Sequence, residues 1–205
     1  MEKALLLISG GIDSPVAGFK TNKKFDLSAI HFSQTPFTDS SPEEKSISAC
    51  KGLGIKKLIV IEAGEELQFI ADNTFREYYF VLMKIFFMKV SEKLANEKNI
   101  NYLITGESLG QVSSQTLSNL NSINSQVEIE ILRPLLFFQK QEIIDISVKE
   151  NLYAASCGKE MCDALASGKP KTKTKIEKVL IEMNKCNMNK LITTALTKTR
   201  IVNIL

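Results

Sequence analysis

The stretch Ala4-Leu5-Leu6-Leu7-Ile8-Ser9-Gly10-Gly11-Ile12-Asp13-Ser14 joins a short apolar run directly to a pair of glycines. The apolar run is typical of a buried strand. Two glycines after a strand let backbone N–H groups approach an anionic phosphate without Cβ interference, and a following helix directs its positive dipole end at the charge. Ser9 and Ser14 add hydroxyl donors, and Asp13 supplies a carboxylate oxygen of the kind that Mg²⁺ prefers. The stretch therefore predicts a strand, a phosphate-binding loop and a helix.

The loop differs from two common nucleotide-binding loops, because neither the Gly-Lys-Ser/Thr of a Walker A motif nor a G-x-G-x-x-G fingerprint is present. A Gly-Gly turn alone is most often an ordinary connection. The full pattern Ser-Gly-Gly-x-Asp-Ser at residues 9–14 resembles the pyrophosphate loop of the ATP pyrophosphatases. That resemblance implies ATP cleavage between the α and β phosphates and adenylation of a substrate.

Strand and helix patterns alternate along the rest of the chain. Apolar runs typical of buried parallel strands recur at residues 27–32, 57–61, 102–106 and 130–132. Helical patterns lie between and after them, at residues 15–23, 42–53, 67–98 and 139–150. The alternation predicts an α/β fold with a doubly wound parallel sheet and a ligand at the carboxyl ends of its strands. The loop resemblance implies, more specifically, the adenine nucleotide alpha hydrolase-like fold of the pyrophosphate-loop enzymes.

The division into domains follows from length and from the last helical patterns. A chain of 205 residues fits one domain with a small appendage. We expect a pyrophosphate-loop domain over residues 1–175 and a C-terminal helical extension over residues 176–205, with helices at 175–187 and 189–199. The apolar stripes of these two helices need a partner, which is either the same domain or a second copy in a homodimer.

Composition says more about the cellular compartment of the protein than about its binding partners. Charged residues make up 24% and hydrophobic residues 44% of the chain, which is globular, and the net charge of +3 does not by itself indicate nucleic acid. Residues 168–175 hold four lysines and no carboxylate, which fits either a phosphate-backbone contact or a solvated loop. No signal peptide or membrane span is visible, so we expect a cytoplasmic protein with reduced cysteines and no membrane partner.

A second polar loop follows the predicted strand at residues 102–106. It reads Thr-Gly-Glu-Ser-Leu-Gly-Gln-Val-Ser-Ser-Gln-Thr over residues 105–116, and such hydroxyls and amides suit a nucleotide. This run closely resembles the tRNA 4-thiouridine synthase family, the sulfurtransferases also tied to thiamine thiazole synthesis. The resemblance extends to His31-Phe32, to Arg133-Pro134-Leu135 and to the Pro-Lys-Thr-Lys stretch that starts at residue 170.

The family resemblance assigns roles to individual residues. It implies ATP contacts at Leu7, Ile8, Ser9, Gly10, Gly11, Ser14, His31, Phe32, Lys84, Gly106 and Gln115. It further implies that Asp13, which we also expect to be the Mg²⁺ ligand, is the essential loop aspartate, and that Lys140 serves the adenylation step. Lys84 departs from the arginine usual in the family, and the loss of the bidentate guanidinium is expected to weaken phosphate binding. From sequence alone, His31 also fits a structural role, and Lys140 an exposed lysine at a helix start.

The cysteines carry the predicted sulfur chemistry. Alignment on the Pro-Lys-Thr-Lys stretch places Cys162 at the family's catalytic cysteine, with Cys157 five residues earlier. The resemblance implies that this cysteine attacks or resolves a persulfide and forms a disulfide with a second cysteine. Two buried thiols or cluster ligands are the alternative. Cys50 and Cys186 lack catalytic context and are expected to be ordinary thiols, although one of them could complete a three-cysteine iron–sulfur site.

The sequence resembles only the catalytic domain of the family. The N-terminal ferredoxin-like and THUMP segments that bind tRNA, and the C-terminal rhodanese domain, have no counterpart in these residues. We therefore expect either a separate THUMP-type protein that presents tRNA or a different acceptor, with a cysteine desulfurase or another donor supplying sulfur. Two other functions stay open: an adenylating enzyme with another acceptor, such as an amidating relative, and an ATP-binding module without catalysis.

Overall fold

Parallel strands form the centre of the molecule in the computed structural model, which describes residues 1–111, 115–153, 165 and 169–204. The described strands are β1 (Glu2–Leu7), β2 (Phe25–Ser33), β3 (Lys57–Glu62), β4 (Tyr102–Ile104), β5 (Glu130–Leu132) and β6 (Thr199–Asn203). They form one sheet in the order β5-β4-β1-β2-β3-β6, in which only β6 is antiparallel to its neighbour. The predicted strands are all present.

Helices cover both faces of this sheet. Those described are α1 (Asp13–Thr21), α2 (Ser41–Gly52), α3 (Gly64–Asn73), α4 (Tyr79–Glu97), α5 (Leu117–Asn124), α6 (Lys140–Lys149), α7 (Ile176–Lys185) and α8 (Met188–Thr197). Side chains alternate along β1, so that Leu5 packs with α3, α4, α7 and α8 while Ala4 and Leu6 pack with α1, α2 and α6. The predicted doubly wound α/β fold is confirmed. Within the described ranges, no helix is both long and apolar enough to cross a membrane.

The strand order reverses direction beside β1. The chain runs from β1 to β2 and β3 on one side, and then returns to place β4 on the other side of β1. Such a switch point leaves a crevice outside the carboxyl ends of the two central strands. The loops after β1 and β4 therefore meet at this edge.

The prediction of one long helix over residues 67–98 was wrong. The chain leaves α3 at Thr74, which has an extended backbone, and re-enters helix through a 3₁₀ turn at Arg76–Tyr78 before α4. The side chains of Asn73 and Thr74 donate hydrogen bonds to the carbonyl oxygens of the preceding helical turn, at 2.8 and 2.7 Å. Side-chain bonds of this kind compete with backbone hydrogen bonding and favour the end of a helix.

The end of the chain contains a strand that the sequence analysis did not predict. The helices predicted at residues 175–187 and 189–199 are present as α7 and α8, but Thr199–Asn203 forms β6 against β3. Lys198 ties this end to α3 through ion pairs of 2.7 Å to Glu65 and 2.8 Å to the buried Glu66. The strand covers the edge of β3, which would otherwise expose unpaired backbone groups.

Candidate functional site

The loop after β1 is organised by its own serines. The Ser9 N–H donates to Ser14 Oγ at 2.9 Å, and the two hydroxyl oxygens lie 3.2 Å apart. The Gly11 N–H points to Ser9 Oγ at 3.4 Å. Ile12 occupies the N-cap of α1 and has no side chain that can accept from the first helical N–H groups. The helix end is thus suited to an anion from outside the loop.

Two glycines allow neighbouring elements to approach this loop. A Cβ on Gly10 would lie 2.9 Å from Pro42 Cα, in the first turn of α2. A Cβ on Gly106, in the loop after β4, would lie 2.6 Å from the Asp13 carbonyl carbon and 2.7 Å from the Ser14 nitrogen. The loop is therefore enclosed between the start of α2 and the end of β4, as the switch point requires.

Replacement of Gly106 by alanine is expected to push the β4 loop away from the phosphate loop. Steric overlap of this kind costs about 1–3 kcal/mol in the free energy of unfolding, and we expect ATP affinity to fall at least tenfold. Chemical denaturation and calorimetry measure the two effects. Gly52→Ala is the matched control, because the nearest atom to its new Cβ is the flexible Leu152 Cδ2 at 3.3 Å. Equal changes in unfolding free energy and ATP affinity in the two variants would contradict the inference that Gly106 is required for close approach of the two loops.

Asp13 and Lys140 meet at the mouth of the loop. Lys140 Nζ donates to Asp13 Oδ1 at 2.9 Å, across 127 positions of sequence, and both side chains are partly exposed. Lys140 is the first residue of α6, where the backbone N–H of Gln139 donates to Glu142 Oε2 at 2.7 Å and fixes the helix start. An ammonium in a first turn is disfavoured by the helix dipole, which the Asp13 carboxylate offsets. The pair places one anionic and one cationic group beside the predicted phosphate site.

A buried carboxylate organises the loop after β4. Glu107 Oε1 lies 2.9 Å from Lys84 Nζ, and Glu107 Oε2 accepts from Arg133 Nε at 2.7 Å and from Thr105 Oγ1 at 3.1 Å. Burial by itself would raise the pKa of Glu107, but Lys84 and Arg133 together hold that pKa at about 2. The carboxylate is therefore ionised at neutral pH and fixes the position of Lys84, a predicted ATP contact.

His31 and Phe32 line the end of β2. His31 Nδ1 lies 3.2 Å from the Ile8 carbonyl oxygen and 3.1 Å from Ser46 Oγ. Since Ser46 Oγ donates to the Pro42 carbonyl oxygen at 2.8 Å, Nδ1 of His31 is the donor in this network. Burial lowers the pKa of His31, which favours the neutral ring at neutral pH. With Nδ1 as the donor, Nε2 is the acceptor of the neutral ring. Phe32 stacks on Phe87 with ring centroids 4.2 Å apart, which suits an apolar wall.

Gln115 closes the polar loop that begins after β4. Its side-chain oxygen accepts from the Ser108 N–H at 3.1 Å, and its carbonyl oxygen accepts from the Gly110 N–H at 3.0 Å. Ser108 Oγ in turn donates to the Phe138 carbonyl oxygen at 2.8 Å, just before Lys140. The polar loop that contains Gln115 is thus joined directly to the segment that precedes Lys140.

The four cysteines divide into two groups. Cys157 and Cys162 lie outside the described residues. Cys50 and Cys186 are buried on opposite faces of the sheet, and burial raises the pKa of their thiols to about 12 and about 11. Thiols with such pKa values are poor nucleophiles and poor metal ligands at neutral pH, and both behave as core residues.

Comparison with known proteins agrees with this geometry. The family model described as thiamine biosynthesis protein (ThiI) matches residues 1–188. The chain belongs to the ThiI family. Probable tRNA sulfurtransferases from Alkaliphilus oremlandii and Caldanaerobacter subterraneus are 39% and 37% identical to it over 95% and 93% of its length. The ThiI-family chain spans about half the length of these relatives, 51% and 52%.

A solved structure of a 4-thiouridine synthetase–RNA complex with bound ATP matches the whole ThiI-family chain, with a TM-score of 0.93 and 28% identity. The chain covers 55% of that protein. The family resemblance inferred from the sequence motifs is therefore confirmed. The roles assigned to individual residues stay predictions, which the geometry above makes testable.

Sequence reasoning missed one residue that organises the ThiI-family site. The sequence pattern places Glu107 only among the polar residues of its loop, and Arg133 only within a motif shared with the family. A signal was present, because a glutamate directly after a buried strand requires a cationic partner if it is enclosed. The sequence could not show which of the 26 lysines and arginines would reach it.

Proposed function

We propose that this chain is the ATP-dependent catalytic part of a tRNA sulfurtransferase that converts a uridine to 4-thiouridine. The observation that carries the proposal is the 2.9 Å contact between Asp13 and Lys140 at the mouth of a pyrophosphate loop. Family membership and the likeness to an ATP-bound synthetase–RNA complex support the choice of substrates. The matched relatives are about twice as long as this chain.

The first step is adenylation. The residues of the phosphate loop and the start of α1 bind the phosphates, while His31 and Phe32 form the wall of the adenine pocket. The uridine O4 attacks the α phosphorus, an O–P bond forms, the bond to pyrophosphate breaks, and the uridine N3 proton is released to solvent. Lys140 is placed to stabilise negative charge that develops during this exchange, and Lys84, held by Glu107, contacts the nucleotide.

Asp13 fits a magnesium ion. Its carboxylate is partly exposed at the loop, and the described residues contain no group of three or more metal-ligating side chains. A single carboxylate suits Mg²⁺, which usually keeps several waters and completes its shell with substrate phosphates. When bound, the ion supplies charge neutralisation for the pyrophosphate leaving group. Lys140 must then share or release its contact with Asp13.

The second step transfers sulfur. A cysteine desulfurase, or another donor, charges Cys162 or Cys157 as a persulfide. The terminal sulfur attacks C4 of the adenylated uridine, and AMP leaves with the former O4. The second cysteine then attacks the inner sulfur, which breaks the S–S bond, leaves the outer sulfur on C4 and closes a Cys157–Cys162 disulfide that a dithiol reductant reopens. We prefer this relay to an iron–sulfur cluster because Cys50 and Cys186 are both core thiols. A separate THUMP-type protein presenting tRNA, a cytoplasmic location and sulfur supply to thiamine thiazole belong to the same proposal.

Mass spectrometry of tRNA nucleosides tests the function. Deletion of the gene is expected to abolish 4-thiouridine, and the wild-type chain but not Cys162→Ser or Cys157→Ser is expected to restore it. Cys50→Ala removes a thiol from the core and serves as the control. Unchanged 4-thiouridine in the deletion strain would refute the proposal. Cys162→Ser and Cys157→Ser variants that keep full overall activity would favour an amidating enzyme, because transfer of ammonia to the adenylated acceptor needs no cysteine.

A further inference from the structure

Residues 169–175, here called the lysine segment, are held against one side of α5. The side chain of Thr116 donates to the Thr172 carbonyl oxygen at 2.6 Å, that of Asn119 to the Lys171 carbonyl oxygen at 2.8 Å, and that of Ser118 to the Thr174 carbonyl oxygen at 2.8 Å. Inside this contact, Thr174 Oγ1 is buried and donates to Asn119 Oδ1 at 3.0 Å. Three attachments within four residues fix the path of the segment's backbone.

A second anchor holds the segment from the other side. The Lys171 N–H donates to the Glu77 carbonyl oxygen at 2.9 Å, and Lys171 Nζ donates to Glu77 Oε1 at 2.7 Å. The same ammonium lies 5.4 Å from the centroid of the Tyr78 ring. Lys171 therefore acts as an attachment point rather than as a free charge.

The other lysines of the segment point their charge to solvent. Lys169, Lys173 and Lys175 are exposed and form no ion pair with any residue in the described ranges. Lysines that serve solubility alone need no fixed backbone, since a mobile loop exposes them equally well. An ordered backbone instead lowers the entropy cost of placing several cations against one polyanion.

The position of the segment relates it to the proposed active site. Thr116, which binds the Thr172 carbonyl oxygen, directly follows Gln115, a predicted ATP contact. Glu77 and Tyr78 immediately precede α4, which carries Lys84. The exposed lysines thus lie beside the edge of the sheet at which ATP is expected.

We propose that the lysine segment binds the phosphate backbone of the RNA substrate and so sets the position of tRNA relative to the active site. The inference rests on the proposed function. The phosphates of ATP are the other anionic groups that these lysines could bind. Seven residues can span up to about 20 Å, however, which suits charges spread along a nucleic acid strand better than a single triphosphate.

Replacement of Lys169, Lys173 and Lys175 together by glutamine tests the proposal. The matched control replaces Lys23, Lys24 and Lys56 by glutamine and so removes the same charge. These three lysines are exposed and directly precede β2 and β3, at the edge of the sheet opposite to the proposed active site. Affinity for tRNA is measured from low to moderate salt with the complete protein and any protein that presents the RNA. Calorimetry gives the ATP affinity of each variant.

We expect the segment variant to bind tRNA at least tenfold more weakly than the control at moderate salt. The slope of log affinity against log salt concentration should be smaller in magnitude by about 2–3. Each lysine that contacts a phosphate contributes roughly one to this slope. ATP affinity should stay within twofold. Equal tRNA binding by the two variants would overturn the inference, and so would a loss confined to ATP or to a protein partner. A wild-type protein that binds tRNA but makes no 4-thiouridine would refute the proposed function while leaving this test valid.

Discussion

Replacement of Lys140 by alanine is expected to lower the rate of ATP-dependent uridine adenylation by about 10²–10³, the effect of removing one preorganised charge donor from an active site. Lys140 Nζ lies 2.9 Å from Asp13 Oδ1 beside the phosphate loop, which is where the proposed function places the reacting phosphates. Its contribution to folding is small, because an exposed ion pair contributes only about 0–1 kcal/mol. The variant should therefore fold normally and fail in catalysis.

Lys149→Ala is the matched control for this prediction. Lys149 is exposed in the last turn of the same helix, so its removal takes away one lysine without touching the loop. Pyrophosphate release in the presence of tRNA measures the rates, and denaturation compares the folding of both variants. A Lys140→Ala enzyme with more than a tenth of wild-type activity would contradict the assigned role.

Replacement of Glu107 by glutamine is expected to have the largest effect on stability. The substitution removes the carboxylate between Lys84 and Arg133 and leaves two cations beside each other, of which the Arg133 side chain is only 7% exposed. Removal of one partner from a buried ion pair lowers the free energy of unfolding by about 3–5 kcal/mol. The free energy of unfolding at neutral pH should fall by an amount of this order, and Lys84 should lose its fixed position.

The pH dependence of this effect has a defined sign. The pKa of Glu107 is lowered from an ordinary 4.5 to about 2 in the folded protein. The ionised group therefore stabilises the fold fully above pH 4.5, and this contribution is lost as the pH falls toward 2. The difference in unfolding free energy between wild type and Glu107→Gln should shrink across that interval.

Chemical denaturation at pH 7 and at several acidic pH values measures this difference. Glu77→Gln is the control, since its carboxylate pairs with Lys171 on the surface and should contribute less than about 1 kcal/mol. A difference between wild type and Glu107→Gln that stays constant down to pH 2 would show that the buried carboxylate does not stabilise the fold through its charge.

The elements that the sequence predicted well are those whose signals are local. The apolar run that ends at Ile8, the two glycines and the first turn of α1 follow one another within a few positions, and each has a characteristic residue pattern. The long helix predicted over residues 67–98 failed because polar side chains at Asn73 and Thr74 bond to the preceding turn, a choice that hydrophobic periodicity does not register.

Strand β6 is an element that no local sequence signal predicts. Residues 199–203 are too few and too polar to identify a strand by alternation, and they become one because the exposed edge of β3 offers hydrogen-bonding partners. The described contacts of Lys198 with Glu65 and Glu66 then fix the approach of this end to the sheet.

The sequence by itself determined the fold class, the phosphate loop and the family, because backbone preferences, hydrophobic periodicity and motif order are all written in neighbouring residues. Only the tertiary structure decided which charges meet. Lys140 reaches Asp13 across 127 positions, Glu107 gathers Lys84 and Arg133, and α5 holds the lysine segment. Such contacts depend on the strand order that places β4 beside β1, since electrostatic pairing is set by distance in space and by burial, neither of which a linear pattern records.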